Sequence, residues 1–285
     1  MQYSNQKKGM LLAFTAILFI TPDSLFIRLA GLESWNLIFY RGFIPFIVVL
    51  VGLLIIYKNK LVTEIINNGW HGFAYAGTFT ITNIIFVISI ENTNVANTLI
   101  MIALAPMLSA IISLIFLKEN PDQKTWIAII ITTLAVIFIF YDALDAGDFL
   151  GNFLGFICAI GLAVGAVIIR SAKKISLVPS AMMGKLMVAL IALLFVDELR
   201  LVGNDLAIIP LMCVMCVAIP FVLITLAPRY ITAAEVNLFF LLETILGPLW
   251  VWLVIHEQPS IETIIGGAII IATIAVHSAL ALKKI

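Results

Sequence analysis

The sequence predicts an all-α polytopic membrane protein: ten transmembrane helices arranged as two inverted five-helix repeats. Composition is the first of three observations behind this. Of 285 residues 63% are hydrophobic and 11% charged, and mean hydropathy is +1.17. A soluble domain needs roughly 45–50% apolar and about 25% charged residues to cover itself with a polar skin. Second, long apolar runs recur along the whole chain with only short polar breaks between them. Third, two distant segments align without gaps. The 16 basic residues balance 16 acidic ones, so no electrostatic footprint for a nucleic acid is present. Disordered chains and ordinary soluble enzymes are excluded on the same composition.

Taken in order, the apolar runs lie at 9–29, 34–57, 70–90, 94–117, 124–141, 150–170, 176–197, 205–227, 232–255 and 260–282. Each is long enough to cross a hydrocarbon core of about 30 Å at about 1.5 Å per residue. The first follows Lys7 and Lys8 but is too long for a signal peptide and lacks a small-residue cleavage pattern. Residues 127–140 show none of the alternation that a β-barrel strand requires. Trp35, Trp70 and Trp126 each stand at the start of a run, where an indole suits the headgroup layer. Pro22, Pro45, Pro106, Pro220 and Pro248 interrupt five runs, freeing backbone carbonyls and allowing bends.

The basic residues fix the expected orientation. With the N-terminus inside, Lys7, Lys8, Lys58, Lys60, Lys118, Lys124, Arg170, Lys173, Lys174, Arg229, Lys283 and Lys284 fall on the inner side, and only Arg28 and Arg200 on the outer. That is a positive-inside pattern with both termini cytoplasmic, in an inner or plasma membrane.

The internal repeat divides the chain at 146/147, giving repeats over 1–146 and 147–285. Segment 94–126 aligns on 232–264, matching Ala96 with Ala234, Glu119 with Glu257, Pro121 with Pro259 and Thr125 with Thr263. Gly9 to Arg28 has the spacing of Gly151 to Arg170, and Gly42 falls opposite Gly184. Five helices per half is an odd number, so the second half enters the membrane from the opposite side. Inverted repeats of this kind suit alternating access about a site near the midplane.

These features resemble the drug/metabolite transporter superfamily, specifically its ten-helix EamA-type members. The resemblance covers the whole chain. It rests on the duplicated segment: small residues opening the helix (Asn94, Ala96, Asn97), a mid-helix Ala105-Pro106, a Leu/Phe-rich exit at 114–117, then Lys118-Glu119, with the glutamate recurring at Glu257. Two departures stand out. The usual Gly–Glu exit reads Lys118-Glu119 and His256-Glu257, and Glu243-Thr244 replaces Ala105-Pro106 in the second repeat. The resemblance implies transport of a small organic metabolite.

Charges inside the spans nominate the site. Asp23, Arg41, Lys185, Glu235 and Glu243 fall within apolar runs, where a charge costs about 2.5–3.5 kcal/mol unless it faces a partner or a cavity. Asp23 and Arg41 lie about 9 and 10 Å from the same membrane side, deep enough to meet across a helix hairpin as a structural pair or an outer gate. Lys185 and Glu243, about 13 and 16 Å deep from the opposite side, match as a second pair or as two ends of a shared substrate site. Glu235 sits one turn into its helix and complements the N-terminus. Glu243 is central, with Thr244, Gly247 and Trp250 beside it at helical spacing, and is the candidate for proton exchange. Tyr75, Thr78, Thr82 and Ser89 share one face of the third helix, with Asn83 beside them, either packing against other helices or walling a cavity; Asn97 opens the fourth helix.

The candidate substrate and coupling residues are therefore Asp23, Arg41, Tyr75, Thr78, Thr82, Asn83, Asn97, Lys185, Glu243 and Trp250. The expected function is secondary active transport of a small polar metabolite, an amino acid, related zwitterion or amine, with protons as a coupling partner through Glu243. The alternatives are a multidrug exporter of lipophilic cations and a membrane-embedded enzyme or scaffold. Arg41 and Lys185 weigh against the exporter. The enzyme lacks a P-loop, H-E-x-x-H or G-x-S-x-G. Cys213 and Cys216 read as packing residues and His277 as an interfacial one. No metal, cofactor or nucleic acid is expected; the lipid bilayer and a small metabolite are the expected partners, and the sequence carries no signal for oligomeric state.

Overall fold

The computed structural model describes residues 2–93, 95–140, 149–256 and 261–283, and each of the ten apolar runs is helical within them. The spans are α1 (Gln2–Ile20, continued by Asp23–Leu29), α2 (Ser34–Tyr57), α3 (Gly69–Asn92), α4 (Val95–Ile102, continued by Ala105–Phe116) and α5 (Gln123–Phe140). The second half supplies α6 (Phe149–Ser171), α7 (Val178–Ala192), α8 (Asp205–Met212 through Ile219–Leu226), α9 (Ala233–Ile255) and α10 (Ile261–Lys283). The repeat boundary expected at 146/147 falls outside the described residues.

Among the described residues six helices are long and apolar enough to cross a membrane, including Gly69–Asn92 and Asp205–Arg229; Ala105–Phe116, Gln123–Phe138, Val178–Ala192 and Ile264–His277 are shorter. The expected 176–197 span is trimmed because turns at 193–195 end α7 early. Large apolar side chains such as Ile55, Ile115, Phe116 and Trp70 are the exposed ones, an exterior that only lipid solvates well.

Proline explains where the spans depart from a straight rod. Pro22 cannot donate to the Leu18 carbonyl four residues back; the Thr21 hydroxyl does so instead at 3.0 Å, and α1 restarts at Asp23. In α4, turns at 103–104 precede Ala105 and Pro106. In α8, the six residues Cys213–Ala218 form a π-helical stretch just before Pro220, which spreads the missing hydrogen bond over a wider turn. By contrast α9, the repeat counterpart of α4, runs unbroken through Glu243 and Thr244.

Helix packing interleaves the halves. The second-half α6 packs on α3 and α4, and the first-half α1 packs on α8 and α9, the exchange that inverted repeats require. α7 is clasped between α2 and α3. A Cβ at Gly42 would lie 2.6 Å from the Ala189 amide nitrogen and 2.9 Å from the Lys185 carbonyl oxygen, and one at Gly184 would lie 3.0 Å from the Ala76 carbonyl oxygen. The two glycines matched by the repeat thus set the closest crossings of α7, the helix that carries Lys185.

The two ends of the bundle differ. Lys8 lies over the Tyr230 ring at 5.0 Å and the Arg229 guanidinium donates to the Lys173 carbonyl at 3.1 Å, so these residues share one end, the basic end. At the other, Trp35 stacks on Phe195, Gly31 N–H donates to Asp205 and Ser34 donates to Glu91. Above the midplane on that side Ile27, Leu37, Ile90, Leu99, Ile209 and Met212 form one buried cluster.

A charged cavity where the repeats meet

Eight helices converge on a cavity of about 120 Å³, lined among others by Asp23 (α1), Arg41 (α2), Phe79, Thr82, Asn83 and Phe86 (α3), Ile102 (α4), Cys158 (α6), Lys185 (α7), Phe221 (α8), and Phe240 and Glu243 (α9). A second chamber of about 70 Å³ shares the Phe79, Thr82, Asn83 and Phe240 wall and extends past Tyr75, Thr78 and Asn237 to Ile169, Pro228 and Val236. These last residues adjoin Arg170 and Arg229, so the second chamber points to the basic end.

Asp23 and Arg41 form a two-point ion pair: Nη1 donates to Oδ1 at 2.6 Å and Nη2 to Oδ2 at 2.7 Å. Both are buried, at 2% and 7% exposure. The break at Pro22 places Asp23 at the first turn of the restarted helix, where negative charge is favoured. The Arg41 guanidinium also reaches Met212 Sδ at 3.6 Å and lies 5.8 Å from the Phe86 ring. The hairpin expected from depth alone is thus the observed one.

Lys185 and Glu243 line the same cavity without touching. The Lys185 ammonium donates to Asn83 Oδ1 and lies 5.2 and 5.9 Å from the Phe79 and Phe221 rings, which favour a cation at their faces. Asn83 is itself oriented, its Nδ2 donating to the Phe79 carbonyl at 2.7 Å. So the partner of Lys185 is a neutral amide rather than the expected carboxylate. The Glu243 carboxyl, in a residue 4% exposed, has no hydrogen bond or ion pair among the described residues. The described cavity wall carries two basic and two acidic side chains, Arg41 and Lys185 against Asp23 and Glu243, and among the described residues only Asp23 and Arg41 of these four meet as an ion pair.

Of the ten residues expected at the site, Asp23, Arg41, Thr82, Asn83, Lys185 and Glu243 line the larger chamber, and Tyr75 and Thr78 line the smaller. Tyr75 bonds to Thr225 at 3.0 Å, tying α3 to α8. Ser89, on the same α3 face, lies away from the cavity and bonds to Thr98 and the Gly151 carbonyl. Asn97 belongs to α4, but its side chain lies outside the described residues, as does Asn94. Trp250 is placed elsewhere. It is 40% exposed and its indole donates to Thr21 Oγ1 at 3.0 Å, because seven residues beyond Glu243 carry it about 10 Å along α9. The aromatic wall comes instead from Phe79, Phe86, Phe221 and Phe240.

Four further residues place as follows. Glu235 forms a reciprocal capping box with Thr232 at 2.8 and 3.2 Å. His277, expected at the interface, is buried and bonds to Thr125 at 3.0 Å. Cys213 and Cys216 are buried free thiols, and no group that could hold a metal ion occurs among the described residues.

Sequence reasoning passed over Asn237. It is 1% exposed, lines the smaller chamber, and its Nδ2 has no hydrogen-bond partner among the described residues. The available signal was an amide inside an otherwise apolar run, six residues before Glu243. It also missed the ion pair below the chamber. Arg170 Nε meets Glu119 Oε2 at 2.9 Å and Nη1 reaches the Pro228 carbonyl at 3.4 Å, joining the two repeats at the basic end. By the repeat alignment the counterpart of Arg170 is Arg28, which is exposed and makes no ion pair among the described residues; Glu257, the counterpart of Glu119, lies outside them.

Fold and site together define a multi-pass membrane protein of two inverted repeats arranged around a largely apolar central cavity that carries two acidic and two basic side chains. The family model of the EamA-like transporter family matches twice, over residues 7–141 and 149–279. The chain belongs to the EamA-like transporter family and is a membrane transporter of the drug/metabolite type, embedded in a lipid bilayer and acting on a small molecule. A solved structure titled "Crystal structure of protein" is 17% identical over 97% of this chain and 99% of that one, with a TM-score of 0.78, a likeness of fold. No curated protein matches the chain.

Proposed function

We propose that the chain is a secondary active transporter of an amino acid, or a related zwitterion or amine, working by alternating access. The observation that carries this is the separation of opposite charges across one small cavity: Glu243 has no partner among the described residues, and Lys185 is held by a neutral amide. A zwitterion offers an ammonium to Glu243 and a carboxylate to Lys185 and Asn83. Asp23 and Arg41 already satisfy each other, so they shape the site and need not bind substrate. Location at the meeting of interleaved repeats supports rocking about this point.

A largely buried carboxyl without a fixed partner among the described residues, facing a cavity, is suited to exchange a proton, and we assign Glu243 that coupling role. The basic end is taken as cytoplasmic, with both termini inside a plasma or inner membrane, on the asymmetry of Lys and Arg. A lipophilic cation is the second reading, favoured by the Phe79, Phe86, Phe221 and Phe240 wall; Lys185 among those rings opposes it. Uptake into proteoliposomes separates the two, since zwitterionic amino acids are carried under the first reading and organic cations under the second. Glu243→Gln is expected to abolish the response to a pH gradient. Unchanged uptake and unchanged pH response in that variant would remove the coupling role.

A further inference from the structure

The smaller chamber lies beyond the charges, toward the basic end, and differs from them in chemistry. None of the described residues lining it is charged. Its walls include Tyr75, Phe79, Phe240, Ile224 and the small Gly161 and Gly165, which let Thr82 and Tyr75 of α3 pack closely on α6: a Cβ at Gly161 would overlap Thr82 Oγ1 and one at Gly165 would lie 3.4 Å from the Tyr75 ring. Most of its polar groups are already engaged: Tyr75 bonds to Thr225, Thr82 donates to the Thr78 carbonyl, and Asn83 donates to the Phe79 carbonyl and accepts from Lys185. Asn237 is different. A buried amide nitrogen without a partner is costly, and buried polar groups in folded proteins are nearly always paired. Its persistence in the wall of a chamber that shares Phe79, Thr82, Asn83 and Phe240 with the cavity holding Lys185 and Glu243 points to a ligand group that completes it.

We infer that this chamber is the side-chain subsite of the transporter, and that Asn237 selects substrates whose side chain is uncharged and carries one hydrogen-bonding group, an amide or hydroxyl. The inference rests on the zwitterion reading above: with ammonium and carboxylate held at Glu243 and Lys185, the side chain is directed past the shared Phe79 and Phe240 wall. At about 70 Å³ the chamber has room for a few non-hydrogen atoms, since one water needs about 10–15 Å³ of such space. A charged side chain would meet no counter-charge there, and burying it unpaired is strongly disfavoured. An apolar side chain of similar size fits the walls but leaves the Asn237 amide unmet, the situation in which a site built for a hydrogen bond rejects an analogue that lacks it.

The test is competitive uptake into proteoliposomes with labelled glycine, L-glutamine, L-leucine and L-glutamate, for the intact protein and for Asn237→Leu and Asn237→Ser. The intact protein is expected to prefer glutamine over leucine and glutamate by about tenfold or more. Asn237→Leu is expected to lose or reverse the glutamine preference over leucine while glycine uptake stays within about twofold; Asn237→Ser is expected to retain a preference for a polar side chain. Glycine uptake reports that each variant folds, because glycine occupies the charged chamber and leaves this one empty. Equal uptake of glutamine and leucine by the intact protein, or an unchanged preference in a glycine-competent Asn237→Leu, overturns the subsite and leaves the zwitterion reading standing. Failure of every amino acid, glycine included, overturns the zwitterion reading itself, and the subsite with it.

Discussion

Removing one member of the Asp23–Arg41 pair is the sharpest perturbation the structure offers. Both groups are almost fully buried, and the two hydrogen bonds of 2.6 and 2.7 Å saturate one face of each. Asp23→Leu would remove both carboxylate hydrogen bonds of the guanidinium and leave it no ion pair among the described residues, with Met212 Sδ and the Phe86 ring face as its remaining contacts. An uncompensated buried charge costs about 3–5 kcal/mol, so Asp23→Leu and Arg41→Met are each expected to destabilise by about that amount. The double variant exchanges an ion pair for apolar bulk, which is often neutral; it should lie within about 1–2 kcal/mol of the parent. The coupling between the sites is then several kcal/mol, well above the 0.5–3 kcal/mol common for residues in contact. Unfolding in mixed micelles at increasing dodecyl sulfate, read by tryptophan fluorescence, measures all four corners of the cycle. If either single variant unfolds within about 0.5 kcal/mol of the parent, the pair does not hold the fold and the argument from its burial fails. Transport by the folded double variant then reads its role directly: retention at near-parental rate is expected of a structural pair, and loss marks a gate.

Other expectations are simpler to check. The Arg170–Glu119 pair is partly exposed, with side chains at 16% and 30%, so Glu119→Gln should change stability by less than about 1 kcal/mol. Because the pair joins the repeats below the cavity, the same variant should speed modification of Cys158, which lines the cavity, by a small water-soluble thiol reagent, followed by mass spectrometry; an unaltered rate argues that the pair does not restrain access. Gly42→Ala forces a methyl to within 2.6 Å of α7 backbone and should cost about 1–3 kcal/mol, whereas Gly77→Ala, which meets nothing within 4 Å, should be neutral or slightly stabilising; equal unfolding midpoints for the two would refute the close crossing. Glu243→Gln is expected to keep the fold while losing its response to a pH gradient in proteoliposome uptake.

Much of the site was legible because the membrane makes charge informative. Asp23, Arg41, Lys185 and Glu243 could be singled out from sequence, since an ionised group within an apolar span must face the bundle interior, and depth paired Asp23 with Arg41. Depth could not choose a partner for Lys185, because Asn83 lies at a similar level and the rotation of α3 against α7 decides between them. Trp250 shows the same limit: helical spacing put it on the Glu243 face, but two turns of rise took it past the cavity to Thr21.

The sequence by itself determined the helical class, the ten spans, the duplication and the asymmetry of basic residues. These follow from local properties, since the bilayer demands about 20 apolar residues per helix and satisfied backbone hydrogen bonds whatever the neighbours are. Only the tertiary structure decided which helices interleave, how closely Gly42 and Gly184 clasp α7, that Lys185 is held by an amide while Glu243 has no such partner, and that Asn237 faces the smaller chamber. Each of those depends on the rotation and crossing of helices distant in the chain. They are fixed by side-chain packing between helices, which no single apolar run encodes.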